Sequence, residues 1–124
     1  MIHTTHFIVR THQDMEAVIQ GGNQLDHSLL CLPPHAPSYM GMGIIWGFLA
    51  YLKEHHPAWA DRLAVDCGEE AGYVMGALRH EIKICFFKGA PEVFEKLQDM
   101  GLQKGAVIYA PFISPIDPIN CSTL

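Results

Sequence analysis

Positive charge is scarce in this chain. Eight residues are Lys or Arg against thirteen Asp or Glu, a formal charge of −5 over 124 residues. No basic stripe is available to neutralise phosphates, so nucleic-acid binding is not expected. Long hydrophobic runs are missing as well. The most apolar stretch, residues 40–52, is too short to span a bilayer and is interrupted by Gly41, Gly43 and Gly47. No membrane association is expected. The opening Met1-Ile2-His3-Thr4-Thr5-His6 lacks the charged and apolar zones of a signal peptide, which points to the cytoplasm.

Chemical motifs are equally sparse. The four cysteines, Cys31, Cys67, Cys85 and Cys121, form no C-x-x-C pair, so zinc-ribbon spacing is absent. The first three fall in or at the end of apolar runs and read as reduced core thiols. Eight histidines supply no H-x-x-x-H or H-E-x-x-H, and no metal site is expected. There is no Gly-x-Ser-x-Gly elbow for a serine nucleophile. No cofactor is implied by any motif.

What the chain does have is core. Hydrophobic residues make up 49% of it, enough for one packed domain and too short for two. Residues 63–110 alternate strand and helix patterns. Leu63-Ala64-Val65-Asp66-Cys67 is an apolar run that stops at Gly68. Ala71, Val74, Met75 and Leu78 then recur at helical spacing, closed by His80-Glu81. Residues 82–87 form the next strand pattern. Pro91 opens another helix, with Val93, Phe94 and Leu97 inward, Gly105 ends it, and residues 106–110 return to strand. Gly72 and Gly76, one turn apart, each cost a helix roughly 1 kcal/mol against Ala, which calls for a close neighbour in compensation.

The first half repeats the pattern. Residues 6–11 alternate polar and apolar, as a half-covered edge strand would. Thr11-His12-Gln13-Asp14 resembles a capping box, with Met15, Val18 and Ile19 behind it and Gly21-Gly22 as the stop. Residues 28–32 read as a buried strand. Pro33, Pro34 and Pro37 then argue for a stiff loop with no helix in it. From Ser38 or Gly41 to about His55 the chain is apolar nearly all round, a helix needing cover on more than one side. A second subunit is a plausible cover, so a homo-oligomer is expected. His56-Pro57-Ala58-Trp59 restarts the chain as a short turn.

The expected fold is a single α/β domain over residues 1–110. Five mostly parallel strands in β-α repeating order form its sheet, with strands two to four interior and helices on both faces. This resembles the flavodoxin-like layout, and a half-barrel order with strands in sequence is the open alternative. Residues 111–124 form an apolar, proline-rich tail expected to pack on its own domain or a neighbour's.

Ligands of parallel sheets sit at the strand carboxyl ends. That rim should carry Thr11 and His12, then Pro33, Pro34 and His35, then Asp66, Cys67, Gly68 and Glu69, then Lys88 and Gly89, then Pro111 and Phe112. Asp66, Glu69 and Glu70 read either as a general base or metal ligand, or as a capping box for the following helix. Their charge argues against a reactive Cys67 thiolate. No second acid cluster follows the first strand, and the lysine follows strand four, so a phosphoacceptor receiver domain is excluded. Ser38, Gly41 and Gly43 bring free helix-start amides suited to an anion.

Two functions fit. One is an oligomeric module that binds a small anionic ligand or a protein partner with His12, His35, Ser38, Gly41, Gly43, Asp66, Cys67, Glu69 and Lys88. The alternative is a small enzyme in which Asp66 or His35 transfers a proton while Lys88 holds substrate charge.

Overall fold

The structure, a computed structural model, describes residues 4–110. One sheet of five strands runs through it: β1 (Thr5–Ile8), β2 (Ser28–Cys31), β3 (Leu63–Asp66), β4 (Ile84–Phe86) and β5 (Val107–Tyr109). Every neighbouring pair is parallel, and the order across the sheet is β1-β2-β3-β4-β5. The expected α/β class, the parallel sheet and interior strands two to four all hold. The open question of strand order resolves to the sequential one.

Helices fill the crossovers: α1 (His12–Gln20), α2 (Ala36–Tyr39), α3 (Met42–His55), α4 (Pro57–Ala60), α5 (Ala71–Arg79) and α6 (Pro91–Gln103). A sheet wound in one direction by right-handed crossovers puts all of them on one side. The packing agrees. Met15 and Val18 of α1, Ile45, Phe48, Leu49 and Leu52 of α3, Val74 and Leu78 of α5, and Leu97 of α6 join one core with Phe7, Leu30, Leu63, Val65, Cys85, Phe87 and Ile108. Strand alternation sends Leu29, Cys31, Ala64, Ile84 and Phe86 to the opposite face, where they form a separate apolar cluster. Helices on both faces are therefore corrected to helices on one face among the described residues, because a sequential order never reverses its winding.

The helix-free face is concave. The His6 ring lies 5.8 Å from that of Phe86, although β2 and β3 separate their strands. Phe86 in turn lies 5.8 Å from Tyr109. Thr4, His6, Leu29, Arg62, Ile84, Phe86 and Tyr109 line a groove of about 160 Å³ there. Burial, and then the charge of Arg62, hold the His6 imidazole below its ordinary pKa.

Local signals explain most boundaries. The Thr11 hydroxyl accepts from the Asp14 amide at 3.0 Å, and Asp14 accepts from the Arg10 amide at 2.8 Å, closing the start of α1 almost as a capping box would. Pro57 and Pro91 sit in the first turns of α4 and α6, where a missing N–H costs nothing. The proline-rich loop differs from expectation: Ala36–Tyr39 turns helical, with Pro37 inside the first turn. Val93, expected inward, is 39% exposed. The expected placement of the tail concerns residues 111–124, which lie outside the described residues.

The glycines of α5 also differ from expectation. A Cβ at Gly72 would meet nothing within 4 Å, and one at Gly76 would touch only the Met42 side chain at 3.8 Å. Neither marks a close approach. Gly76→Ala should therefore raise unfolding stability by about 0.5–1 kcal/mol through helix propensity, read as a higher urea midpoint at unchanged slope. A lower midpoint would mean that α5 is more tightly packed at Gly76 than this.

Between α1 and the end of α3, the Glu16 carboxylate accepts from the Tyr51 hydroxyl and lies 2.8 Å from His56 Nε2. The Tyr51 contact first, and His56 second, lower the Glu16 pKa from 4.5 to about 2. The same contact raises the Tyr51 phenol. An acid depressed by folding stabilises the native state above its unfolded pKa, and that contribution is lost as pH falls from 4.5 through about 2. Glu16→Gln should remove this part of the acid sensitivity. An unchanged stability difference between pH 6 and about pH 2–3 in the variant would refute the linkage.

Candidate functional site

Because all strands are parallel, their carboxyl ends share one rim, and successive neighbours deliver residues to it in chain order. Thr11 follows β1, His35 follows β2, Asp66 ends β3 and Lys88 follows β4. Three of these four come together. His35, Asp66, Gly68, Glu69 and Lys88 line an open pocket of about 310 Å³.

The turn after β3 builds its floor. Asp66 Oδ1 accepts from the Gly68 amide at 2.9 Å, an Asx turn that carries the chain out of the sheet. Gly68 then takes φ +59°, a left-handed backbone. Its carbonyl accepts from the Lys88 amide at 2.8 Å, tying the β3 and β4 loops together. The His35 ring sits directly on Gly68: a Cβ there would fall 2.6 Å from His35 Nδ1. His35 is itself left-handed, φ 60°, at the start of α2, which turns its side chain back over the rim. The capping-box reading of Asp66 and Glu69 fails. Helix α5 begins at Ala71 with Glu70 as its cap and no side-chain cap bond, so it starts too late for Asp66 to serve it.

The pocket is electrically mixed. Lys88 and Glu69 are exposed and Asp66 is half-buried. The Lys88 ammonium belongs to no ion pair among the described residues. It is available to a ligand's anionic group, while Asp66 Oδ2 and Glu69 offer acceptors to donors.

The remaining expected residues lie elsewhere. His12 stacks on Tyr51 at 4.4 Å and meets the edge of Phe48 at 5.1 Å, so its ring packs on α3 outside the pocket. Cys67 is buried on the helix side, and contact with the Cys85 thiol, burial and the charge of Asp66 all raise its pKa. It does not line the rim pocket. The Ser38 hydroxyl donates to the His35 carbonyl at 2.7 Å, so it holds the α2 turn. Gly41, at φ +82°, caps α3, with Gly43 in its first turn, and neither lines the pocket. Among the described residues no cluster of three or more His, Cys, Asp or Glu is arranged to hold a metal ion.

Sequence reasoning missed two things. Gly68, expected on the rim but not among the ligand-binding residues, is the pocket floor, and its signal was its place two residues after an Asp at a strand end. The concave groove with His6 and Arg62 was invisible, because it exists only once five strands curl around it.

Fold and pocket together define a sequentially wound, parallel α/β domain with a polar pocket at its carboxyl rim. Comparison with protein-family models, with curated proteins and with solved structures finds no match to this chain.

Proposed function

We propose that this chain is a small-ligand-binding α/β module, with the rim pocket as its site. The observation that carries the reading is that three successive strand ends contribute His35, Asp66, Glu69 and Lys88 to one pocket. Two carboxylates beside one ammonium disfavour a purely anionic ligand. They favour one with a carboxylate or phosphate at one end and ammonium or hydroxyl donors at the other, which narrows the anionic ligand expected from the sequence. Titration of the ¹⁵N-labelled chain with free serine and with inorganic phosphate tests this. Serine should shift the amides of Gly68, Glu69 and Lys88 more than phosphate does, and Lys88→Met should abolish the effect. Silent amides with both probes would overturn the reading.

The alternative, proton transfer by Asp66 or His35, keeps one specific support: both line the same pocket. It requires the acting group to meet whatever binds there, and His35 ring and Asp66 signals unmoved by every ligand that shifts the Gly68 and Lys88 amides would remove it.

Self-association is the second part of the proposal. The buried side of α3 holds Ile45, Phe48, Leu49 and Leu52, while Ile44 on its outer side is 56% exposed beside exposed Gly43 and Gly47. Tyr39 and Met75 are exposed as well. Light scattering should report a dimer or larger species that Ile44→Glu dissociates. A monomeric native chain would overturn it.

A further inference from the structure

His35 stands where the backbone favours a glycine. The Ala36 amide donates to the Pro33 carbonyl at 3.0 Å, closing a tight turn with Pro34 and His35 at its centre. Proline second and a left-handed residue third, here φ 60° and ψ 24°, describe a type II turn, whose third position takes glycine because a Cβ is strained there. Among the described residues only His35 and Glu81 are left-handed without being glycine. The strained conformation is held in place: the His35 carbonyl accepts from the Ser38 amide at 2.9 Å and from the Ser38 hydroxyl at 2.7 Å.

The facing turn is shaped to receive the ring. Gly68 lacks the Cβ that would fall 2.6 Å from His35 Nδ1 and 2.9 Å from Cε1. Two left-handed positions therefore meet across the pocket, a glycine at one and an imidazole at the other. The imidazole adds nothing to the apolar core. His35 is exposed, and its ring nitrogens make no hydrogen bond to the described residues. Strain that no core contact offsets points to contact with a ligand.

We infer that His35 is the specificity-determining residue of the rim pocket and hydrogen-bonds a hydroxyl of the ligand, an inference that rests on the binding role proposed for that pocket. The other walls are matched to different groups. Asp66 Oδ1 is engaged by the Gly68 amide, which leaves Asp66 Oδ2 and Glu69 to accept from an ammonium, and Lys88 to meet a carboxylate or phosphate. The imidazole is the remaining polar wall, and a neutral ring both donates and accepts. The ligand class is then a compound with an ammonium, an anionic group and a hydroxyl, of which a hydroxy amino acid is the simplest case.

Serine and alanine differ only in that hydroxyl, so they separate the two levels of the argument. The ¹⁵N-labelled chain should bind serine roughly five- to tenfold more tightly than alanine, the size of one net hydrogen bond. His35→Asn, which keeps a side chain tolerant of the left-handed turn, and His35→Gly should bind both amino acids equally, at the weaker of the two affinities. His35→Gly should also raise the folding equilibrium constant roughly two- to tenfold, the relief of strain less the entropy that glycine returns to the unfolded chain. Equal affinities in the native chain would overturn the inference while leaving the pocket a binding site. A serine preference that survives in both variants, or a His35→Gly chain less stable than the native one, would overturn it as well, since the ring would then serve something other than the hydroxyl. Amides silent to both amino acids would remove the pocket reading and this inference with it.

Discussion

Phe87→Ala is expected to cost about 3–5 kcal/mol of unfolding free energy, a large share of the ~5–15 kcal/mol typical of a domain. The physical basis is burial. Phe87 is only 2% exposed and is among the largest fully buried side chains. Its ring lies 6.4 Å from Phe94 of α6 and fills the space against Gly89, where an added Cβ would fall 2.5 Å from Phe87 Cζ. Truncation leaves a void that neighbouring strands cannot close, since the Phe87 amide is bonded to the Tyr109 carbonyl at 2.9 Å. Urea denaturation should show a much lower midpoint at unchanged slope. Phe87→Leu should cost clearly less. A Phe87→Ala penalty under about 1 kcal/mol would contradict the burial on which the helix-side core rests.

Gly68→Ala should damage both the fold and the pocket, for separable reasons. A left-handed φ of +59° costs a non-glycine residue about 1–2 kcal/mol. The new methyl also collides with the His35 ring. His35 is exposed, so its ring can swing away at little cost in stability, but it then leaves the pocket. The stability loss should therefore persist almost unchanged in a His35→Ala background, while ligand-induced shifts at Lys88 vanish in Gly68→Ala alone. A double-mutant cycle reads the difference. A coupling as large as the single-variant loss would mean that the ring is locked in place. No loss at all would mean that the turn after β3 is not left-handed.

Both variants act where the rim pocket meets the core, and this is also where the sequence was most readable. Strand ends and helix starts carry local chemistry. The Asp-Cys-Gly that ends β3, the Pro91 start of α6 and the Thr11–Asp14 cap of α1 each appear at their expected places. The rim residues His35, Asp66, Glu69 and Lys88 were found by the same logic, since a parallel arrangement sends every strand end to one edge. His12 was misjudged because spacing says which rim a residue reaches and nothing about the aromatic partners its ring finds there. Cys67 illustrates the period of two: one residue past Asp66, its thiol turns to the opposite side of the sheet and into the core.

Local pattern was enough to determine a parallel α/β domain, the alternation of its five strands with the longer helices, and that His35, Asp66, Glu69 and Lys88 reach its carboxyl edge. Those properties follow from hydrophobic period, glycine and proline, all of which act over a few residues. Tertiary structure alone decided that the strands lie in chain order, that the helices share one side and that the other side curls into a groove. Winding direction and curvature arise from contacts between segments far apart in the chain, such as His6 with Phe86, and no window of sequence contains both partners.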